Sequence, residues 1–172
     1  MMPTELITIQ RYRSEYQPGV VQLILPIQNE EFGIAITAAQ QPDLSDIGHF
    51  YQQGNGDFWL AQIGERGVGC IGLKDIGQQQ TALRKMFVAA PYRGREWGVA
   101  SALLNTLMMH ARHRRVDDIF LGTTAKFLAA HRFYEKNGFS EIPVTELPVS
   151  FPVMTVDTKF YRFTFSSSCE IS

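Results

Sequence analysis

The chain has 172 residues, 45% of them hydrophobic and 19% charged, with 16 basic against 17 acidic side chains and a formal charge of -1. That size and balance suit one soluble globular domain, read as residues 1–165, and exclude a global attraction to nucleic acid or to an anionic membrane, so any anion binding must be local. Cys70 and Cys169 provide neither a disulfide framework nor a thiolate zinc site, and no apolar run approaches the ~20 residues needed to span a bilayer, so a reducing, cytoplasmic setting is expected.

In chain order, LITIQR, ending at Arg11, reads as a first strand. Tyr16 to Phe32 carry apolar residues suited to a helix, which Pro18 and Pro26 should bend or split. QPDLSDIGHFYQQGNG supplies Pro42, Asp43 and Ser45 as start signals and Gly54 as a stop, so a second, short helix follows. DFWLAQI, GVGCIGLKDI and TALRKMFV are strand candidates joined by the hairpin-like GERG and GQQQ, which predicts an antiparallel meander.

From Gly98 onward Ala100, Leu103, Leu104, Leu107, Met108 and Ala111 recur at helical spacing. Arg112 to Arg115 close that helix where positive charge suits the dipole, so the basic block is read as a helix end rather than a nucleic-acid site. DDIFLG is the next strand, and Lys126 to Asn137 form a helix with Phe127, Ala130, His131 and Tyr134 on one face, stopped by Asn137-Gly138. The Pro-interrupted ELPVSFPVM precedes a last strand in VDTKFYRFTF and a disordered SSSCEIS end, residues 166–172.

The stretch MFVAAPYRGREWGVASALL, Met86 to Leu104, combines a strand ending at Val88, a turn around Pro91 and a helix beginning near Arg95. Free backbone N–H groups then converge at the positive end of a helix dipole, which is an anion site. Arg93 and Arg95 add charge, while Gly94 and Gly98 let backbone approach a phosphate closely, so a pyrophosphate suits the loop better than a carboxylate. The spacing matches neither the P-loop nor the dinucleotide-binding GxGxxG.

Antiparallel strands, then V-x-x-x-Y-R-G-R-x-x-G, a long helix, a strand and AAHRFYEKNGF resemble the GNAT family of acyl-CoA-dependent N-acetyltransferases, closely from about Phe58 to Phe139. The resemblance implies an α+β fold with a central mixed, mostly antiparallel twisted sheet flanked by helices. It also implies acetyl-CoA as the acetyl donor, with Met86, Phe87 and Val88 offering backbone to the pantetheine arm where the fourth strand splays from the fifth. Arg93, Gly94, Arg95, Glu96, Gly98, Val99 and Ala100 would wrap the pyrophosphate.

Glu96 stands where the family pattern places a central glycine. A carboxylate ~6 Å from a phosphate charge would cost about 3 kcal/mol at an effective dielectric of ~20, so the side chain must point away, paired with Arg93 or Arg95, if the loop binds.

The same resemblance places Tyr134 near the cofactor sulfur as general acid, since a phenol is protonated at neutral pH and can protonate a departing thiolate. Periodicity alone would make it a core aromatic. Some family members carry a basic Glu on the fourth strand, but Ala82 occupies that position here, so Glu31, with Glu30 beside it, is the candidate base unless the pair is merely a solvated helix end. His131 could support Tyr134 or simply pack, His49, His110 and His113 sit in ordinary helical contexts, and Asp157 and Lys159 either contact the acceptor or pair on an edge strand. No spacing of His, Asp and Glu suggests a metal.

The expected activity is acetyl transfer to a primary amine of a small molecule or peptide, with no nucleic-acid or membrane partner. The alternatives are an acyl-CoA-binding sensor without turnover and an interaction protein that forms a homodimer through LPVSFPVMTV.

Overall fold

The computed structural model describes residues 6–124, 128–154 and 156–165. Seven strands form one sheet in the order β1-β2-β3-β4-β5-β7-β6. They are β1 (Ile7–Arg11), β2 (Asp57–Ile63), β3 (Arg66–Gly77), β4 (Gln80–Val88), β5 (Asp118–Thr123), β6 (Ser140–Ile142) and β7 (Lys159–Thr164). Every pairing is antiparallel except β4 with β5, which is parallel.

The helices are α1 (Gln17–Pro26), α2 (Ile47–Tyr51), α3 (Val99–His113) and α4 (Leu128–Lys136). Strand β2 shows why both sheet faces are covered. Side chains alternate across a strand, so Trp59, Ala61 and Ile63 join Leu103, Leu107 and the α4 residue Tyr134 in one core, while Phe58 and Leu60 join Val20, Ile24 and Ile47 from α1 and α2 in another. Leu103 and Leu107 are fully buried, each worth about 1.5–3 kcal/mol of transfer free energy.

A third cluster, of Ala82, Phe120, Ile142, Phe151 and Phe160, seals the β5–β7 end. Ala82 is thus a core contact, and Phe151 draws part of the expected dimer-forming segment into its own chain's core. The split at Pro26 is real: α1 gives way to a wider turn over Ile27–Glu31, closed by the Phe32 N–H donating to the Ile27 carbonyl at 3.0 Å. The basic block ends α3 as expected, with Arg114 Nη2 donating to the Gly54 carbonyl at 2.7 Å and Arg112 lying over the Phe165 ring. The expected disordered end lies outside the described residues, as do Lys126 and Phe127.

Candidate active site

β4 and β5 stay in register only through Gln80–Asp118, Thr81–Ile119 and Ala82–Phe120. Beyond Ala82 the strands part, leaving β4 from Leu83 to Val88 without a strand on its β5 side. Backbone N–H and C=O groups on such an edge are ready partners for an extended ligand. The parted strands open onto a cavity of about 890 Å³, walled by Met86, Phe87 and Val88 from β4 and by Leu121 and Thr123 from β5. Tyr134 of α4 closes its floor.

Helix α3 points into this cavity. It begins at Val99, four residues later than the sequence suggests, because Gly98 adopts a left-handed φ of 62° as its N-cap and the first helical bond runs from the Ala102 N–H to the Gly98 carbonyl at 3.0 Å. No side chain caps the helix, so the N–H groups of Val99, Ala100 and Ser101 face outward with the positive end of a 15-residue dipole behind them. Gly98, Ala100 and Ser101 line the cavity along with Arg93, Gly94 and Arg95.

Two acids of the loop region lie differently from expectation. Glu31 is not a free base: both its carboxylate oxygens bond the Arg93 guanidinium, which also donates from Nε to the Val88 carbonyl at 2.8 Å. The hydrogen bond from Arg93 holds the Glu31 carboxyl below the usual carboxylate range, which disfavours proton uptake. Glu30 lines a neighbouring shallow recess rather than the main cavity. Glu96 has no helix to stabilise it and does not pair with Arg93; its carboxylate lies over Gly94, where an added Cβ would meet both oxygens at 3.3 Å.

Tyr134 is buried among Phe133, Phe139 and Tyr161 with ring centroids 5.6–6.2 Å apart. Burial pushes its phenol well above the ordinary tyrosine range, so it stays protonated. Among the described residues its hydroxyl has no hydrogen-bond partner. His131 is not its support: Nε2 contacts the Thr124 carbonyl at 2.8 Å, tying α4 to the end of β5. His110 similarly contacts the Asn55 carbonyl at 2.9 Å, and Lys159 pairs with Glu141 at 3.0 Å.

Sequence reasoning missed Arg84 and Lys85. Consecutive strand residues normally face opposite ways, but β4 carries a bulge here: Cys70 opposes Phe87, Gly72 opposes Arg84, and Lys85 takes a φ of 57°. Both cations therefore reach the same oxygen, Asp43 Oδ2, at 3.9 and 3.6 Å. Tyr51 donates to that oxygen at 2.6 Å, and Lys85 donates to Gln41 Oε1 at 2.8 Å. Gln41 is itself locked by paired amide bonds to Gln28.

Burial lowers the Lys85 ammonium from its ordinary range, with Asp43 opposing the shift. Asp157, just before β7, also lines the cavity, and burial raises its carboxyl. The available signal was RK inside the otherwise apolar LRKMFV.

An open β4 edge lies beside an uncapped helix N-terminus, an arrangement whose unpaired N–H groups suit an extended anionic ligand. The acetyltransferase (GNAT) family model matches residues 21–139, and the chain belongs to that family of enzymes. It is 32% identical over 139 residues to N-acetylaspartate synthetase of Xenopus tropicalis, covering 78% of this chain and 50% of that protein. The chain thus spans about half the length of this relative.

A solved acetyltransferase of the GNAT family from Staphylococcus aureus Mu50 superposes with a TM-score of 0.87 at 40% identity, covering 92% of this chain and 98% of that one. N-acetylglutamate synthase from Neisseria gonorrhoeae, complexed with coenzyme A and N-acetyl-glutamate, shares the fold at a TM-score of 0.69 and 16% identity, covering 92% of this chain and 35% of that one. Among the described residues no helix is long and apolar enough to cross a membrane.

Proposed function

We propose that the protein is an N-acetyltransferase that takes its acetyl group from acetyl-CoA and passes it to a primary amine of a small molecule or peptide. The observation carrying this reading is the uncapped α3 N-terminus, flanked by Arg93 and Arg95, at the mouth of the cavity where β4 and β5 part. These residues fit the donor: the N–H groups of Val99, Ala100 and Ser101 suit a pyrophosphate, and the edge from Met86 to Val88 suits an amide-bearing arm. The Glu96 carboxylate is exposed, so solvent screens it from a bound phosphate.

When bound, acetyl-CoA supplies a thioester, whose carbonyl carbon gains a bond to the amine nitrogen as its bond to sulfur breaks. Strand β4 backbone at the bulge polarises that carbonyl, and Tyr134 holds its proton where the sulfur departs. The amine's proton leaves through water or the nearby Asp157, since Glu31 is held by Arg93. Calorimetry with acetyl-CoA, followed by thiol release across a panel of amines, tests the reading. Binding with thiol release only when an amine is present is expected. Binding without transfer to any amine would make the protein an acyl-CoA sensor, and no binding would remove the reading altogether.

A further inference from the structure

The acceptor end of the cavity has a charge pattern that selects among amines. Arg84 and Lys85 line it with side chains only 12% and 7% exposed. Among the described residues their ion pairs run to Asp43 alone, at distances beyond hydrogen bonding; Asp43 is already engaged by the Tyr51 hydroxyl, and Lys85 donates one hydrogen bond to Gln41 Oε1 at 2.8 Å. Arg84 spends Nε on Tyr51 at 3.2 Å, while among the described residues its terminal nitrogens meet the Pro152 carbonyl at 3.5 Å, the Met154 sulfur at 3.8 Å and Asp43 Oδ2 at 3.9 Å. A buried guanidinium with its planar terminal edge so weakly engaged is a ready fork for a carboxylate.

Across β5 sits the opposite charge. An added Cβ on Gly122 would come within 2.6 Å of Asp157 Oδ2, so the glycine makes the room that lets this carboxylate lie against the strand. Asp157 Oδ2 accepts the Met154 N–H at 3.0 Å, which fixes it in the same wall that touches Arg84.

Resting on the acetyltransferase reading, we infer that the acceptor is a small zwitterion, an α-amino acid or an amine of like charge, whose carboxylate is held by Arg84 and Lys85 and whose amine faces Asp157. Asp43 and Asp157 balance the two cations, so a ligand with both charges leaves the cavity neutral. A polyamine would instead bring further positive charge against two buried cations. The amine side carries its own proton acceptor in Asp157, which burial makes more basic than an exposed carboxylate.

The test compares acceptors that differ only in the carboxylate. The full chain is assayed with acetyl-CoA by thiol release against α-amino acids, their carboxamides, the corresponding decarboxylated amines and spermidine. Amino acids are expected to exceed their carboxamides in kcat/KM by ~100-fold or more, the loss usual when a buried charge-assisted pair goes unmade.

Arg84→Gln should erase that preference while leaving acetyl-CoA affinity unchanged. Lys85→Met serves as an independent second variant should Arg84→Gln not fold, and the comparison on the parent protein needs neither. Equal or better turnover of carboxamides or spermidine, or acetyl-CoA binding with no turnover of any amino acid, would overturn the inference. Absence of acetyl-CoA binding would instead overturn the reading on which it rests.

Discussion

Gly94→Asp, measured beside Gly94→Ala, separates backbone strain from charge at the α3 loop. Gly94 has a φ of 107°, a conformation L side chains rarely adopt, so either substitution should cost about 1–3 kcal/mol of strain. Any Cβ there also meets the Glu96 oxygens at 3.3 Å, which the exposed Glu96 side chain relieves by moving. The two variants share this burden and should melt at similar, lowered temperatures.

Only aspartate adds a charge. At ~6 Å from a phosphate and an effective dielectric of ~20, it opposes binding by about 3 kcal/mol. The aspartate variant should therefore bind acetyl-CoA roughly 10- to 100-fold more weakly than the alanine variant by calorimetry, the lower figure allowing for salt screening on the exposed loop. Because the loop is exposed, that gap should narrow as salt rises from 0.15 to 1 M and the screening length falls from about 8 to 3 Å. Equal affinity of the two variants would show that no phosphate sits at the α3 N-terminus.

Tyr134→Phe should lower kcat by about 10²-fold with acetyl-CoA affinity and melting temperature preserved, since the hydroxyl has no hydrogen-bond partner among the described residues; parental kcat, with chemistry limiting the rate, would reduce Tyr134 to a packing residue. Glu31→Gln should keep kcat, and a collapse of kcat at unchanged acetyl-CoA affinity would make Glu31 the base after all. Glu96→Gln should tighten acetyl-CoA binding, about tenfold once salt screening of an exposed carboxylate is allowed for, and a loss of affinity in calorimetry would show that Glu96 organises the loop.

Burial pushes the Cys70 thiol from about 9 up to about 12, so the folded state holds its proton more tightly and stability is complete below pH 9. Across that window the thiol alone should remove about 4 kcal/mol as pH rises, at about 1.36 kcal/mol per unit. Cys70→Ala should therefore flatten the alkaline fall in urea-measured stability, and an unchanged slope would remove Cys70 from the titration.

The strands of the meander were legible because their signal is local. DFWLAQI is β2 residue for residue, and the spacing of Leu103, Leu104, Leu107 and Ala111 marks the buried face of α3 without reference to any neighbour. The pattern from Arg93 to Gly98 announced a strand-to-helix turn in the same way, since the residues that shape it are adjacent in the chain. Strand β6, three residues long, is too short to show a period and exists because Ser140–Ile142 can pair with β7.

The charge cluster around Arg84 and Lys85 was not legible, because everything that defines it is a distant meeting. Glu31 met Arg93 across 62 positions and became an ion-pair partner, and Lys85 met Gln41 across 44. Arg84 and Lys85 share one side of β4 only because a bulge breaks the strand's alternation, and the bulge depends on how β4 registers against Cys70 and Gly72 of β3. Local sequence sets propensity and periodicity, and those determined the scaffold and the turn from Arg93 to Gly98. Register and long-range packing decide which charges end up facing one another, and only the tertiary structure settled that.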